Sequence, residues 1–291
     1  MSYTELKKII EEEQYYEYLQ LPRSLAEELD FENKYDYKGV QARFEYIRSF
    51  FEDNSFADIV NIGGNCGYFS LSLLDENLAE EAIVYDIKAD ILEIGEKIAR
   101  AMNISDRCKF EEKMINLEEL KTLPPANVLI FQNVLHHAGD YFDQELVKDI
   151  GWGEYARQFM AGLRELYDYA VFAVGFKWNK PKYWQVDKDK RRGEFQNILA
   201  DADWEIISDA NVYDLMSSKG ECDYKNFIHE DGQEEFTKGE LGALWDLITF
   251  NAIKHVSILL GPTSEKLKES VPALSEAAAE IAKMYHIYLL K

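Results

Sequence analysis

The chemistry-bearing residues of this chain gather in three stretches. In the first, Asp58-Ile59-Val60-Asn61-Ile62-Gly63-Gly64-Asn65-Cys66-Gly67-Tyr68-Phe69-Ser70, an apolar run passes through a glycine cluster into an apolar helical pattern. Glycine lets a backbone turn sharply and approach a ligand closely, and the amino end of the helix that follows offers unpaired N–H groups. A second apolar run, Ala82-Ile83-Val84-Tyr85, then ends in Asp86, where an acid at the end of the second strand of a βαβ unit holds the hydroxyls of a nucleoside ribose. The second stretch is Gln132-Asn133-Val134-Leu135-His136-His137, with two imidazoles that titrate near neutrality. The third is Lys177-Trp178-Asn179-Lys180-Pro181-Lys182-Tyr183-Trp184, continuing to Lys188, Lys190, Arg191 and Arg192. Its interleaved bases and aromatic rings suit a ligand with an anionic group and a flat ring; the alternative is a solvated loop whose tryptophans anchor it to the core.

These residues need a scaffold, and the pattern predicts one. Strands are expected at about 57–62, 82–86, 108–110, 127–131, 169–174 and 204–207, with helices over roughly 67–76, through Ile91, Leu92, Ile94 and Ile98 to Met102, and over about 153–167 between them. Alternating β and α at this spacing argues for an open, doubly wound, mainly parallel sheet with helices on both faces. The carboxy-terminal Tyr285-His286-Ile287-Tyr288-Leu289-Leu290 has strand character and fits a last strand of that sheet. Residues 1–54 then form a helical cap, 55–211 a cofactor-binding α/β core, and 212–291 an insertion whose last strand returns to the core. Arg43 and the tyrosines 15, 16, 18, 35 and 37 belong to the cap.

Composition narrows the function classes. The 291 residues are 47% hydrophobic, enough for a sizeable core, and carry 54 acids against 32 bases, a formal charge of −22. So acidic a surface disfavours nucleic acid without excluding it, because a local basic patch can overcome the mean. No apolar run reaches the roughly 18 residues of a membrane span. Cys66, Cys108 and Cys222 have no metal-ligand spacing, and with no signal-peptide core the chain reads as cytoplasmic, with reduced thiols and no metal site.

The first two stretches together resemble the class I S-adenosylmethionine-dependent methyltransferases, over about residues 55–210. In Asn61-Ile62-Gly63-Gly64-Asn65-Cys66-Gly67, Gly63 and Gly67 match the outer glycines of that family's turn, Asn65 stands at the middle glycine and Asn61 at the usual acid. Asparagine tolerates left-handed backbone angles, and its amide oxygen can meet an ammonium group without a charge. The resemblance implies S-adenosylmethionine as cofactor and S-adenosylhomocysteine as product. It places Asp86 and Ile87 at the ribose and Met114, Ile115 or Asn116 beside the adenine. Gln132 and Asn133 fall at the sulfonium end, and His136 or His137 becomes a base for the acceptor. Lys177, Trp178, Lys180, Tyr183 and Arg43 are the expected acceptor contacts, for a small or medium-sized anionic acceptor. Three alternatives stay open: a tRNA-modifying methyltransferase using the basic aromatic segment 177–192, with a faint resemblance to the wobble-uridine carboxymethyltransferase group; a non-catalytic binding protein with a degenerate pocket, motivated by Asn61 and Asn65; and a nicotinamide dinucleotide site, whose turn and ribose acid are similar.

Overall fold

The computed structural model describes residues 3–12, 20–31, 40–175, 181, 183–211 and 285–291. Seven strands form one sheet: β1 (Asp58–Ile62), β2 (Glu81–Asp86), β3 (Cys108–Glu112), β4 (Ala126–Gln132), β5 (Tyr167–Gly175), β6 (Ile206–Asn211) and β7 (Tyr285–Leu290). Their order is β3-β2-β1-β4-β5-β7-β6. The first five named in that order run parallel, and β7 lies antiparallel between β5 and β6. This is the doubly wound, mainly parallel α/β sheet that the alternating pattern predicts.

Strands covered on both faces must be apolar on both, and successive side chains go to opposite sides. Ile59, Val84, Val128, Ile130, Val171 and Ala173 face one layer. Val60, Tyr85, Leu129, Phe131, Phe172 and Val174 face the other. The first layer is filled from α1 (Tyr3–Glu12), α2 (Arg23–Glu28), α3 (Val40–Glu52), α4 (Tyr68–Asp75) and α5 (Ala89–Ala101), through residues such as Leu6, Leu25, Phe44, Leu71 and Ile98. The amino-terminal helices thus share a hydrophobic core with the sheet. The second layer is filled from α6 (Gln144–Ile150), α7 (Trp152–Arg164) and α8 (Lys188–Asp201), through Val147, Trp152, Phe159, Phe195 and Leu199. Each large apolar side chain so buried contributes about 1.5–3 kcal/mol.

Several elements differ from the sequence reading: α6 has no counterpart in it, α7 ends at Arg164 with β5 beginning at Tyr167, and two differences lie later in the core. The basic segment ends not as a loop but as α8 from Lys188 onward. Buried Arg191, Phe195, Ile198, Leu199 and Ala202 recur at helical spacing along it, a stripe that the surrounding charges obscure. The last α/β strand starts at Ile206 rather than Trp204 and extends to Asn211; Trp204 is buried, with its indole N–H donating to the Met160 carbonyl at 2.9 Å.

Because β6 and β5 both oppose β7, the chain leaves β6 and re-enters β7 at the carboxyl edge of the parallel strands. The expected insertion 212–284 is attached at that edge but lies outside the described residues, as do Lys177, Trp178, Lys180, Cys222 and the tyrosines 15, 16, 18, 35 and 37. Among the described residues, no helix is long and apolar enough to cross a membrane.

Candidate active site

Open parallel sheets bind ligands outside the carboxyl ends of their strands, where the strand order reverses. Here that point lies between β1 and β4, and the glycine turn after β1 sits on it. The backbone N–H groups of Gly63 and Gly64 both donate to the Tyr85 carbonyl, at 2.8 and 3.1 Å. This draws the turn down onto the end of β2. Gly63 has φ +68°, and a Cβ there would lie 2.2 Å from Val134 Cγ2. At Gly64 a Cβ would meet Val84 at 2.6 Å and the Asn61 amide at 2.8 Å. Both positions therefore require glycine for close backbone approach. Gly67 precedes α4 with φ +83°. Asn65 is left-handed at φ 53°, and its Oδ1 accepts the Cys66 N–H at 2.8 Å, a local bond that favours asparagine in this conformation.

Asp86 ties the turn to the second strand. One carboxylate oxygen accepts the Asn65 N–H at 2.9 Å and the other accepts the Lys88 N–H at 3.2 Å. Each carboxylate oxygen has two acceptor positions, so two remain for a vicinal diol. On either side of it, Ile87 is 54% and Met114 46% exposed, while Ile115 is buried. Exposed large apolar side chains following β2 and β3 offer flat contact to a ring. Lys113, just ahead of Met114, donates its N–H to the Asp86 carbonyl at 2.9 Å and so keeps this loop beside Asp86.

The end of β4 is different in kind. Asn61 is buried and its Nδ2 donates to Ser70 Oγ at 3.0 Å. Gln132 is buried, and its Oε1 accepts Arg43 Nη1 at 2.7 Å. Arg43 comes from α3, is 5% exposed and lies over the Phe69 ring at 5.4 Å. The structure thus sets Arg43, expected among the acceptor contacts, against Gln132 at the end of β4. Gln132 Nε2 and Asn133 Oδ1 are buried atoms with no hydrogen-bond partner among the described residues. A buried polar atom left unpaired costs about 1–3 kcal/mol. Adjacent residues with one orphaned donor and one orphaned acceptor match a ligand that presents both an anionic and a cationic group. Asn133 is left-handed, φ 59°, with its N–H on the Ala173 carbonyl at 2.8 Å.

Beyond Asn133 the chain makes a short 3₁₀ turn, Leu135–His137, fixed by the Trp152 indole N–H on the Leu135 carbonyl at 3.3 Å. His136 is buried and its Nδ1 accepts the Gly175 N–H at 3.4 Å. In the neutral ring that contact leaves the proton on Nε2. His137 is half-buried and its ring touches those of His136, at 4.3 Å between centroids, and Tyr141, at 4.9 Å. Tyr141 is 63% exposed. Tyr183, 41% exposed, is held at φ 64° beside the position a Gly139 side chain would take. Burial pushes the Cys66 thiol up to about 12, so it is no nucleophile at neutral pH. Among the described residues, no group of three or more His, Cys, Asp or Glu side chains is placed to hold a metal ion.

No protein-family model and no curated protein matches the sequence. Solved structures do match the fold. A proposed sarcosine dimethylglycine methyltransferase from Galdieria sulphuraria superposes with a TM-score of 0.50 at 10% identity, over 86% of this chain and 85% of that one. The chain carries the class I methyltransferase fold. Similar in extent are an S-adenosylmethionine-dependent methyltransferase from Thiobacillus denitrificans in complex with S-adenosylhomocysteine, with a TM-score of 0.49, 9% identity and 94% and 99% coverage, and the StiE O-MT segment, with 0.49, 8% and 85% and 73%. Within the methyltransferase fold of this protein, Asn61, Gly63, Gly64, Asn65, Gly67, Asp86, Ile87, Met114, Ile115, Gln132 and Asn133 lie in or next to the carboxyl ends of β1 to β4. Arg43 reaches the same edge from α3. Sequence reasoning missed the bond from Arg43 to Gln132, which spans 89 positions, and the role of Asp143 described below. The second left some signal, an acid just ahead of a helical stretch.

Proposed function

We propose that the protein is an S-adenosylmethionine-dependent methyltransferase acting on a small or medium-sized anionic acceptor. The observation that carries this reading is the pair of buried, unpartnered amide atoms, Gln132 Nε2 and Asn133 Oδ1, at the switch point of a methyltransferase fold and beside a ribose-type acid. The donor, with the Arg43 guanidinium behind Gln132, suits the carboxylate of the cofactor's amino-acid end, and the acceptor suits its ammonium. Asp86 holds the ribose hydroxyls, and Ile87 and Met114 flank the adenine. When bound, the cofactor supplies an electrophilic methyl group on a sulfonium.

Since the methyl carbon is already activated, the protein's main task is to bring the acceptor atom into line and exclude water. His137 takes the acceptor proton where the acceptor atom is protonated at neutral pH. His136, a donor on Nε2, orients the acceptor. Tyr141 and Tyr183 give a flat part of the acceptor a face to lie on. The basic residues Lys177 and Lys180, with Trp178, are assigned to its anionic group.

Two features favour a small acceptor over RNA. The formal charge of −22 repels a polyanion. In the basic segment, Arg191 is buried with its Nε on the Val186 carbonyl at 3.0 Å, and Arg192 is ion-paired with Asp209. The test is calorimetry with S-adenosylhomocysteine on the folded wild-type protein. Micromolar binding is the expected result, and a folded sample that takes up none overturns the assignment.

A further inference from the structure

Asp143 precedes α6 and would be read as its N-cap, yet its side chain makes no cap hydrogen bond. The carboxylate turns away from the helix. Its Oδ2 accepts the backbone N–H of Leu117 at 2.9 Å and the hydroxyl of Tyr155 at 2.6 Å. To do so, Asp143 adopts a left-handed backbone, φ 52°, a conformation that persists where surrounding contacts over-determine it.

The two ends of this junction belong to different halves of the site. Leu117 closes the loop after β3, which carries Met114 and Ile115. Asp143 closes the segment after β4, which carries His136, His137 and Tyr141. That segment is braced internally: Gly139 N–H donates to the Phe142 carbonyl at 2.8 Å, and the N–H groups of Asp140 and Tyr141 donate to the His137 carbonyl at 2.9 and 3.0 Å. A short, self-bonded turn moves as a unit, so fixing its end fixes its rings. Tyr155 is buried on α7, and its burial first, then the Asp143 carboxylate, raise its hydroxyl pKa well above the usual phenol value. The phenol therefore stays a donor near neutral pH.

We propose that Asp143 is a positioning residue that locks the Met114–Leu117 loop to the His137–Phe142 turn, so that the adenine side and the transfer side of the site are held in one register. The inference rests on the methyltransferase reading for what the two loops do, but not for the lock itself. A single carboxylate oxygen receiving one hydrogen bond from each of two elements cannot shift toward one without loosening the other.

The test is amide hydrogen exchange on the ligand-free protein, with Asp143→Ala, Asp143→Asn and Tyr155→Phe. Asp143→Ala should speed exchange at both 115–118 and 139–142 by about tenfold, as loss of one or two net hydrogen bonds implies, with β4 and β5 amides unchanged. Asp143→Asn keeps an acceptor oxygen in place and should return both segments toward wild type. Tyr155→Phe removes one of the two bonds and should give a smaller acceleration in 139–142; it carries the test if Asp143→Ala does not fold. Acceleration confined to one of the two segments, or none in either, overturns the proposal. Because this readout needs no cofactor, a wild-type protein that fails to bind S-adenosylhomocysteine would count against the proposed function and leave the lock to be judged by exchange. If both hold, S-adenosylhomocysteine affinity should fall in Asp143→Ala and recover in Asp143→Asn.

Discussion

At the end of β2, Asp86 lies close to solvent and has both carboxylate oxygens engaged by backbone N–H groups. At the end of β4, Gln132 and Asn133 are neutral and hold one buried polar atom each without a partner among the described residues. The first arrangement is complete without ligand, so it is preorganised and carries little penalty when empty. The second is incomplete, and the cost of its unpaired amides is lifted only by a ligand that supplies the missing partners. On the proposed reading, the Asp86 end sets a shape for the ribose in advance, while the Gln132 and Asn133 end gains affinity by pairing its two open atoms.

The largest effect expected is from Asp86→Ala, which removes the ribose acceptor and the anchor of the Asn65 N–H together. Hydrogen bonds to a charged group contribute about 1.5–3 kcal/mol each, so S-adenosylhomocysteine affinity should fall by about 100-fold or more. Adenosine alone should suffer equally; a loss below about threefold, well under 1 kcal/mol, would mean that Asp86 is a solvated strand-end acid.

Gln132→Glu separates the two ends. It turns the bond with Arg43 into an ion pair and sets a carboxylate where the ligand's own carboxylate is proposed to lie. The melting temperature should rise, while S-adenosylhomocysteine affinity drops by about 30-fold, near 2 kcal/mol. Adenosine binding should be untouched, and an equal drop for both ligands would break the comparison.

Asn133→Gly tests the cost of the orphaned amide directly. Glycine adopts the left-handed backbone freely, and the unpartnered oxygen disappears. Stability should hold or increase by up to about 1 kcal/mol as affinity falls by about tenfold. Thermal unfolding and calorimetry on one sample read both, and a variant that loses stability as well would show that the amide is already satisfied in the free protein.

The smallest change is expected from Asn65→Gly. Its side chain bonds only to the next residue's N–H, and glycine suits φ 53° at least as well. Affinity should move by less than about threefold, within a few tenths of a kcal/mol. A larger loss, measured by the same calorimetry, would give Asn65 a direct contact with ligand.

Local pattern made much of this legible. β1, β2, β4 and β5 are continuous apolar runs because both faces are covered, and such runs stand out between polar helices. The glycine turn and Asp86 follow at fixed spacing, and chain connectivity alone brings the turn to the switch point and Asp86 to the neighbouring strand end. The start of α8 was hidden for the opposite reason. Arg191 occupies the buried stripe, with its guanidinium over the Trp184 ring, and a charged residue in that position masks the helical period. Tyr183 and Tyr141 were aromatic residues of two separate segments, and only their packing about Gly139 and His137 brings them to the same turn.

The residues of β1 to β5, in their order and composition, determined by themselves that the chain forms a mainly parallel α/β sheet with a glycine turn after β1 and an acid at the end of β2, because periodicity and glycine geometry act over a few residues. Tertiary structure alone decided that Arg43 meets Gln132, that β7 inserts between β5 and β6, that one amide atom each of Gln132 and Asn133 is buried without a partner among the described residues, and that Asp143 bonds to Leu117 and Tyr155 instead of capping its own helix. Each of these depends on which atoms are brought within hydrogen-bonding distance, or denied it, by segments far apart in the chain, and no local period encodes that.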